Sequence, residues 1–118
     1  MTVSDQLSEL RADFPSCEIA AFADLSSGMI LSVSADKKLP QELLDAFCAE
    51  AVSALGETEA SDSLPAVAVR ATPQGFLVFL RATSYAAEAL CLRCGLGIDL
   101  RTFTDAARAR LSRMEQDA

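Results

Sequence analysis

The sequence predicts one α/β (α+β) domain, a three-layer α-β-α sandwich whose five-stranded, mostly antiparallel sheet follows the order α-β-β-α-β-β-β-α. Three observations predict it. Segments 3–14, 40–55 and 102–114 repeat apolar residues at helical spacing. Five extended runs lie among them, joined by connections short enough to favour antiparallel pairing. Phe76-Leu77-Val78-Phe79-Leu80 is apolar at every position, as a strand covered on both faces should be. Such a sheet needs two helices on one face and the middle helix on the other. With 118 residues the chain fits one domain, 1–118, able to bury roughly 65% of its unfolded surface.

The first helix carries Val3, Leu7, Leu10 and Phe14 on one stripe, with Thr2 and Asp5 as a capping pair and Pro15 as the stop. Runs 17–24 and 29–34 form a hairpin in which Gly28 supplies positive φ and Asp24 bonds the turn backbone. Ala20, Ala21 and Ala23 are poor strand formers, but their small size lets a helix lie close to the sheet. The second helix, 40–55, starts with Pro40 in its first turn and stops at Gly56. A polar, acidic connection, 56–63, leads to strands at 66–72, 76–83 and 89–94, the first two joined by Thr72-Pro73-Gln74-Gly75. The last helix has Thr102 and Asp105 as a capping pair, and Phe103, Ala107, Leu111 and Met114 face inward. Arg108, Arg110 and Arg113 complement its C-terminal dipole.

At about 100° per residue, Leu43, Ala54, Phe47, Ala51, Leu44, Leu55, Cys48 and Val52 cover about half of the second helix. A surface helix needs only a little over ~100°. Two explanations stay open: a helix set deep in one core, or one touching both its own sheet and another subunit.

Composition closes several routes. Ten basic against seventeen acidic residues give a net charge of −7, which repels nucleic acid and anionic membrane surfaces. No apolar run approaches the ~18 residues of a membrane span, and the acidic N-terminal stretch does not read as a secretory signal, so a cytoplasmic location is expected. There is no histidine, hence no ordinary general base near neutral pH and no imidazole for a metal.

Cys17, Cys48, Cys91 and Cys94 read as buried reduced thiols. Cys91 and Cys94 spell CxxC, yet three residues apart on a strand they point to opposite faces and cannot grip one ion. Gly95-Leu96-Gly97 lacks the third glycine of a dinucleotide fingerprint, since Leu100 stands there, and reads as a strand-to-helix turn. No phosphate-cradling GxxxxGK[ST] occurs, so the chain is not itself a nucleotide hydrolase of that type. Ser26 and Ser27 lack an activating partner and read as turn residues. Arg70, Arg81 and Arg93 fall towards strand ends and could form one basic band, or pair with local acids.

The element order, the DLSSG hairpin at 24–28, the long alanine-rich second helix and the Phe79-Leu80-Arg81 strand end resemble the roadblock/dynein light chain family, within the wider profilin-like group. The resemblance spans residues 3–111. It implies a non-catalytic protein with no cofactor, metal or catalytic residue, acting as a homodimer. Its sheets would join edge to edge at the third strand, with the second helices side by side. Carried onto this sequence, that interface would use Leu43, Leu44, Phe47, Cys48, Ala51, Val67 and Val69. The implied partner is a Ras-like small GTPase or another signalling or motor protein. A small-molecule-sensing module is the alternative, with Phe76, Phe79 and Tyr85 lining a pocket; an enzyme using Cys91 and Cys94 is a third reading.

Overall fold

A computed structural model describes residues 2–56, 66–83, 85 and 87–117. Beyond Gly56, the acidic connection expected at 56–63 lies outside the described residues. The elements are α1 (Val3–Asp13), β1 (Cys17–Asp24), β2 (Met29–Ala35), α2 (Gln41–Leu55), β3 (Val67–Thr72), β4 (Gly75–Arg81), β5 (Glu88–Gly95) and α3 (Leu100–Asp117), in the expected order.

Local chemistry sets most boundaries. Asp5 N–H donates to Thr2 Oγ1 at 3.1 Å and Thr2 N–H to Asp5 Oδ2 at 3.2 Å, a complete capping box for α1. In the β1–β2 turn Gly28 has φ 71°, and Asp24 Oδ1 accepts from Ser26 N at 3.0 Å and Ser26 Oγ at 2.6 Å. That bonding, chiefly from the Ser26 hydroxyl, holds the Asp24 carboxyl below its ordinary pKa. Pairing then jumps from Phe22–Ser32 to Ala23–Ile30, leaving Leu31 as the extra residue of a bulge. Pro40 sits at the N-cap of α2 rather than in its first turn, and Gly56, with φ 86°, ends the helix.

The final helix departs from the sequence reading. It begins at Leu100, and Asp99, not Thr102, is the capping side chain, accepting from Thr102 N at 3.3 Å. It also runs on to Asp117, so the arginines expected to meet its C-terminal dipole lie a turn or more before the end. Arg110 instead ties α3 to α1, donating to Gln6 Oε1 at 2.8 Å and Asp13 Oδ2 at 3.2 Å.

All pairings are antiparallel and the strand order is β2-β1-β5-β4-β3. β3 to β5 form a meander that closes on β1, so β5 is central and β2 and β3 are the two edges. α1 and α3 cover one face, where Leu7, Leu10, Phe103, Leu111 and Met114 pack on Phe22, Val78, Leu80, Leu90 and Leu92. Phe14 meets Phe103 edge-on there, with ring centroids 5.1 Å apart. α2 alone covers the other face, setting Phe47, Cys48, Ala51 and Leu55 on Ile19, Ala21, Ala23, Phe79, Ala89 and Cys91. The alanines beneath it have no bulk to hold the helix off, so it beds close to the strands.

Candidate interaction surface

The wide apolar arc of α2 divides in a way the sequence left open. Phe47, Cys48, Ala51 and Leu55 are buried against the helix's own sheet, and Phe47 stacks obliquely on Phe79 at 5.9 Å. Leu43, Val52 and Ala54 are half-buried and pack on the same cluster. Leu44 is half-buried on the other flank, beside Val33, Ala35 and Leu39. Three of the seven residues assigned to an interface, Phe47, Cys48 and Ala51, are thus inner core in this chain. One subunit hides most of the arc, so surplus apolar surface on α2 is weak support for a neighbour.

What α2 turns outward is Gln41, Glu42, Asp45, Ala46, Ala49, Glu50 and Ser53, a polar stripe with short side chains in its second half. Beside it runs β3. Val67 is half-buried over the core under α3, whereas Val69 is 45% exposed. The strand order gives β3 only β4 as a neighbour, so its outer N–H and C=O groups face no strand among the described residues. Arg70 joins the two elements, pairing with Glu50 and donating to Ser53 Oγ at 3.1 Å. Among the described residues, Arg70 thus joins the outer face of α2 to the open edge of β3.

Of the two readings of these arginines, pairing with local acids describes Arg70 and Arg93. Arg70, Leu77 and Arg93 are register partners in a row across β3, β4 and β5 on the α2 face. Arg93 lies 3.7 Å from Glu18, and Arg70 is paired with Glu50. Arg81 does not belong to the band. It is only 8% exposed, and its guanidinium donates to the Leu55 and Gly56 carbonyl oxygens, capping α2 from below. A charged residue closing an all-apolar strand was the one signal in the sequence that could have revealed this.

Between α2 and the row lies a groove of about 210 Å³, lined among others by Ile19, Leu43, Phe47, Leu77, Glu50 and Arg93. That is below the ~300 Å³ at which sites for drug-sized ligands begin. The aromatics suggested as a sensing pocket do not converge. Phe79 is fully buried under α2, Phe76 belongs to the opposite face of the same strand, and Tyr85 is 57% exposed in the β4–β5 connection.

The cysteines divide between the faces as strand geometry requires, Cys91 beneath α2 and Cys94 beneath α1 and α3. Burial pushes the Cys48 and Cys91 thiols above their ordinary pKa, which keeps them protonated and unreactive. Among the described residues no three His, Cys, Asp or Glu groups come together as a metal site, and no helix is long and apolar enough to cross a membrane.

No family model matches the chain, and no curated protein matches it either. Solved structures do. A roadblock/LC7 domain from Streptomyces avermitilis superimposes with a TM-score of 0.78 at 15% identity, over 98% of this chain and 97% of that one. The gliding protein MglB from Thermus thermophilus gives 0.73 at 16% identity, over 98% and 90%. An MglB with a tetrameric arrangement gives 0.74 at 14% identity, over 97% and 85%. This chain has the roadblock/LC7 fold. Sequence identity this low establishes the fold alone. Among the described residues no element intervenes between the outer face of α2 and the β3 edge.

Proposed function

We propose that the chain is a non-catalytic regulatory or scaffold protein that self-associates through β3 and the outer face of α2. The paired subunits then present a surface to a Ras-like small GTPase or another signalling or motor protein. One observation carries this reading: the open edge of β3, tied to α2 through Arg70, runs beside a helix face whose short side chains, Ala46, Ala49 and Ser53, allow close approach. A second copy laid antiparallel along β3 would satisfy the free backbone groups and continue the sheet. The interface is narrower than the resemblance implied, using Val69, Ala46, Ala49 and the flanks at Leu43 and Leu44. Phe47, Cys48 and Ala51 support it from beneath.

The GTPase half of the proposal rests on the family resemblance, with MglB structures among those of the same fold. Absence of histidine and the protonated Cys48 and Cys91 thiols support a binding role rather than a catalytic one. Sedimentation equilibrium at tens of micromolar tests the self-association. Twice the 12.5 kDa chain mass is expected, and a clean monomer would remove the proposal. The partner is then sought by co-purification from the native cells, with a nucleotide-hydrolysing protein as the expected catch.

A further inference from the structure

Cys17 and Cys94 stand directly opposite each other across β1 and β5. Gly95 N–H donates to the Ser16 carbonyl oxygen at 2.9 Å, the bond that flanks a non-hydrogen-bonded antiparallel pair. In a regular ladder such pairs hold their Cα atoms about 4.5 Å apart, within the roughly 4.4–6.8 Å that a disulfide spans; here the pair ends the ladder, beyond a register shift between Cys17 and Ile19. Both side chains enter the same apolar cluster under α1 and α3, and they are 1% and 2% exposed. The Cys17 thiol donates to the Ile19 carbonyl oxygen at 3.5 Å. The neighbouring Cys94 thiol and the Arg11 charge hold Cys17 below its ordinary pKa against burial, while Cys17 and burial push Cys94 up.

We propose that Cys17 and Cys94 are a redox-responsive pair that closes an intramolecular disulfide when a hydroperoxide is present and reopens under a thiol reductant. The Cys17 thiolate attacks one peroxide oxygen; the O–O bond breaks, hydroxide departs and takes up a proton as water, and Cys17 becomes a sulfenic acid. The Cys94 sulfur, giving up its proton, then attacks the Cys17 sulfur; the S–O bond breaks and a second water leaves. Two thiols lose two electrons in all and one hydrogen peroxide becomes two waters. The nearest exposed turn along the chain is residues 14–16, between α1 and Cys17, where Pro15 is exposed. The bond joins the points where α1 enters and α3 leaves the sheet. Oxidation therefore fixes the roots of both helices while the β3 edge and the outer face of α2, on other parts of the surface, stay as they are.

The test uses the purified, fully reduced chain treated with hydrogen peroxide. Its intact mass falls by two hydrogens, and peptide mapping after alkylation finds Cys17 linked to Cys94, with Cys48 and Cys91 alkylated. The thermal midpoint rises by roughly 10 °C, because the closed loop restricts the unfolded chain, and dithiothreitol reverses the rise. The Cys48→Ser/Cys91→Ser double variant keeps the mass loss, whereas Cys17→Ser and Cys94→Ser each lose it. Four thiols still open to alkylation, a link through Cys48 or Cys91, or Cys17 carried to sulfinic acid beside a free Cys94 would each overturn the proposal. The map of the unsubstituted chain decides it even where a variant folds poorly.

Discussion

The Arg81 guanidinium reaches the carbonyl oxygens of Leu55 at 2.6 Å and Gly56 at 3.0 Å, so the end of β4 anchors the end of α2. Helix C-termini leave carbonyls without intrahelical donors, and a buried cation there meets both hydrogen bonding and the helix dipole. Burial lowers the pKa of this arginine, but a guanidinium remains charged at neutral pH.

Replacing Arg81 by Met should cost about 3 kcal/mol, since buried carbonyls lose charged donors that water cannot replace. Lys in its place retains one donor head but not the planar fork, and should fall between. Urea unfolding of the three proteins checks the order; a loss under ~1 kcal/mol for Arg81→Met would mean the cap is idle.

Glu88 gives a pH dependence of opposite sign to the usual acid. Burial, then the charges of Asp24 and Glu115, raise its pKa above the ordinary value. The folded state therefore holds its proton more tightly than the unfolded chain does. Stability is lost as pH rises from the ordinary Glu range through the raised value, and is regained as pH falls back. Glu88→Gln should be the more stable protein at pH 7, with an advantage that shrinks on acidification. Denaturation midpoints of both proteins from pH 7 down to pH 4 would show the curves converging; parallel curves would rule out the coupling.

Two glycines near the same end of the sheet separate strain from freedom. A Cβ on Gly75 would run into the backbone carbonyl of Cys94, whereas one on Gly97 meets nothing within 4 Å. Gly75→Ala should cost more than about 3 kcal/mol, because backbone in the sheet has to move. Gly97→Ala should be neutral or gain about 0.5 kcal/mol by restricting the unfolded chain. Thermal melts of the pair decide it, and similar losses for both would contradict the geometry.

Much of this architecture follows from short-range rules that a sequence displays openly. The period of two sends Cys91 and Cys94 to opposite faces, the Thr2–Asp5 box starts α1, and Gly28 closes its hairpin. The cap of α3 reads three residues late in the sequence, because Thr102–Asp105 mimics the spacing that Asp99 actually uses on Thr102. What the pattern could not supply was partnership across the fold. Whether Phe47 and Cys48 face a neighbour or their own strands depends on how deeply α2 beds, and that depth is set by Ala21 and Ala89 on other strands. The Cys17–Cys94 pairing and the Arg81 cap likewise arise from register between distant segments.

The proposed interface and the core beneath it separate by substitution. Phe47→Ala opens a cavity against Phe79 and should cost about 3–5 kcal/mol, whatever the oligomeric state. Val69→Lys alters an exposed side chain and should leave the isolated fold within about 0.5 kcal/mol. A charge on that edge nevertheless opposes a second strand laid against it, because pairing would have to desolvate the lysine. Self-association stabilises by mass action, so the melting temperature of the unsubstituted chain should climb with protein concentration. The Val69→Lys melt should not move over the same range. A concentration dependence that survives this substitution would place the contact elsewhere on the molecule, and β3 would lose its assigned role.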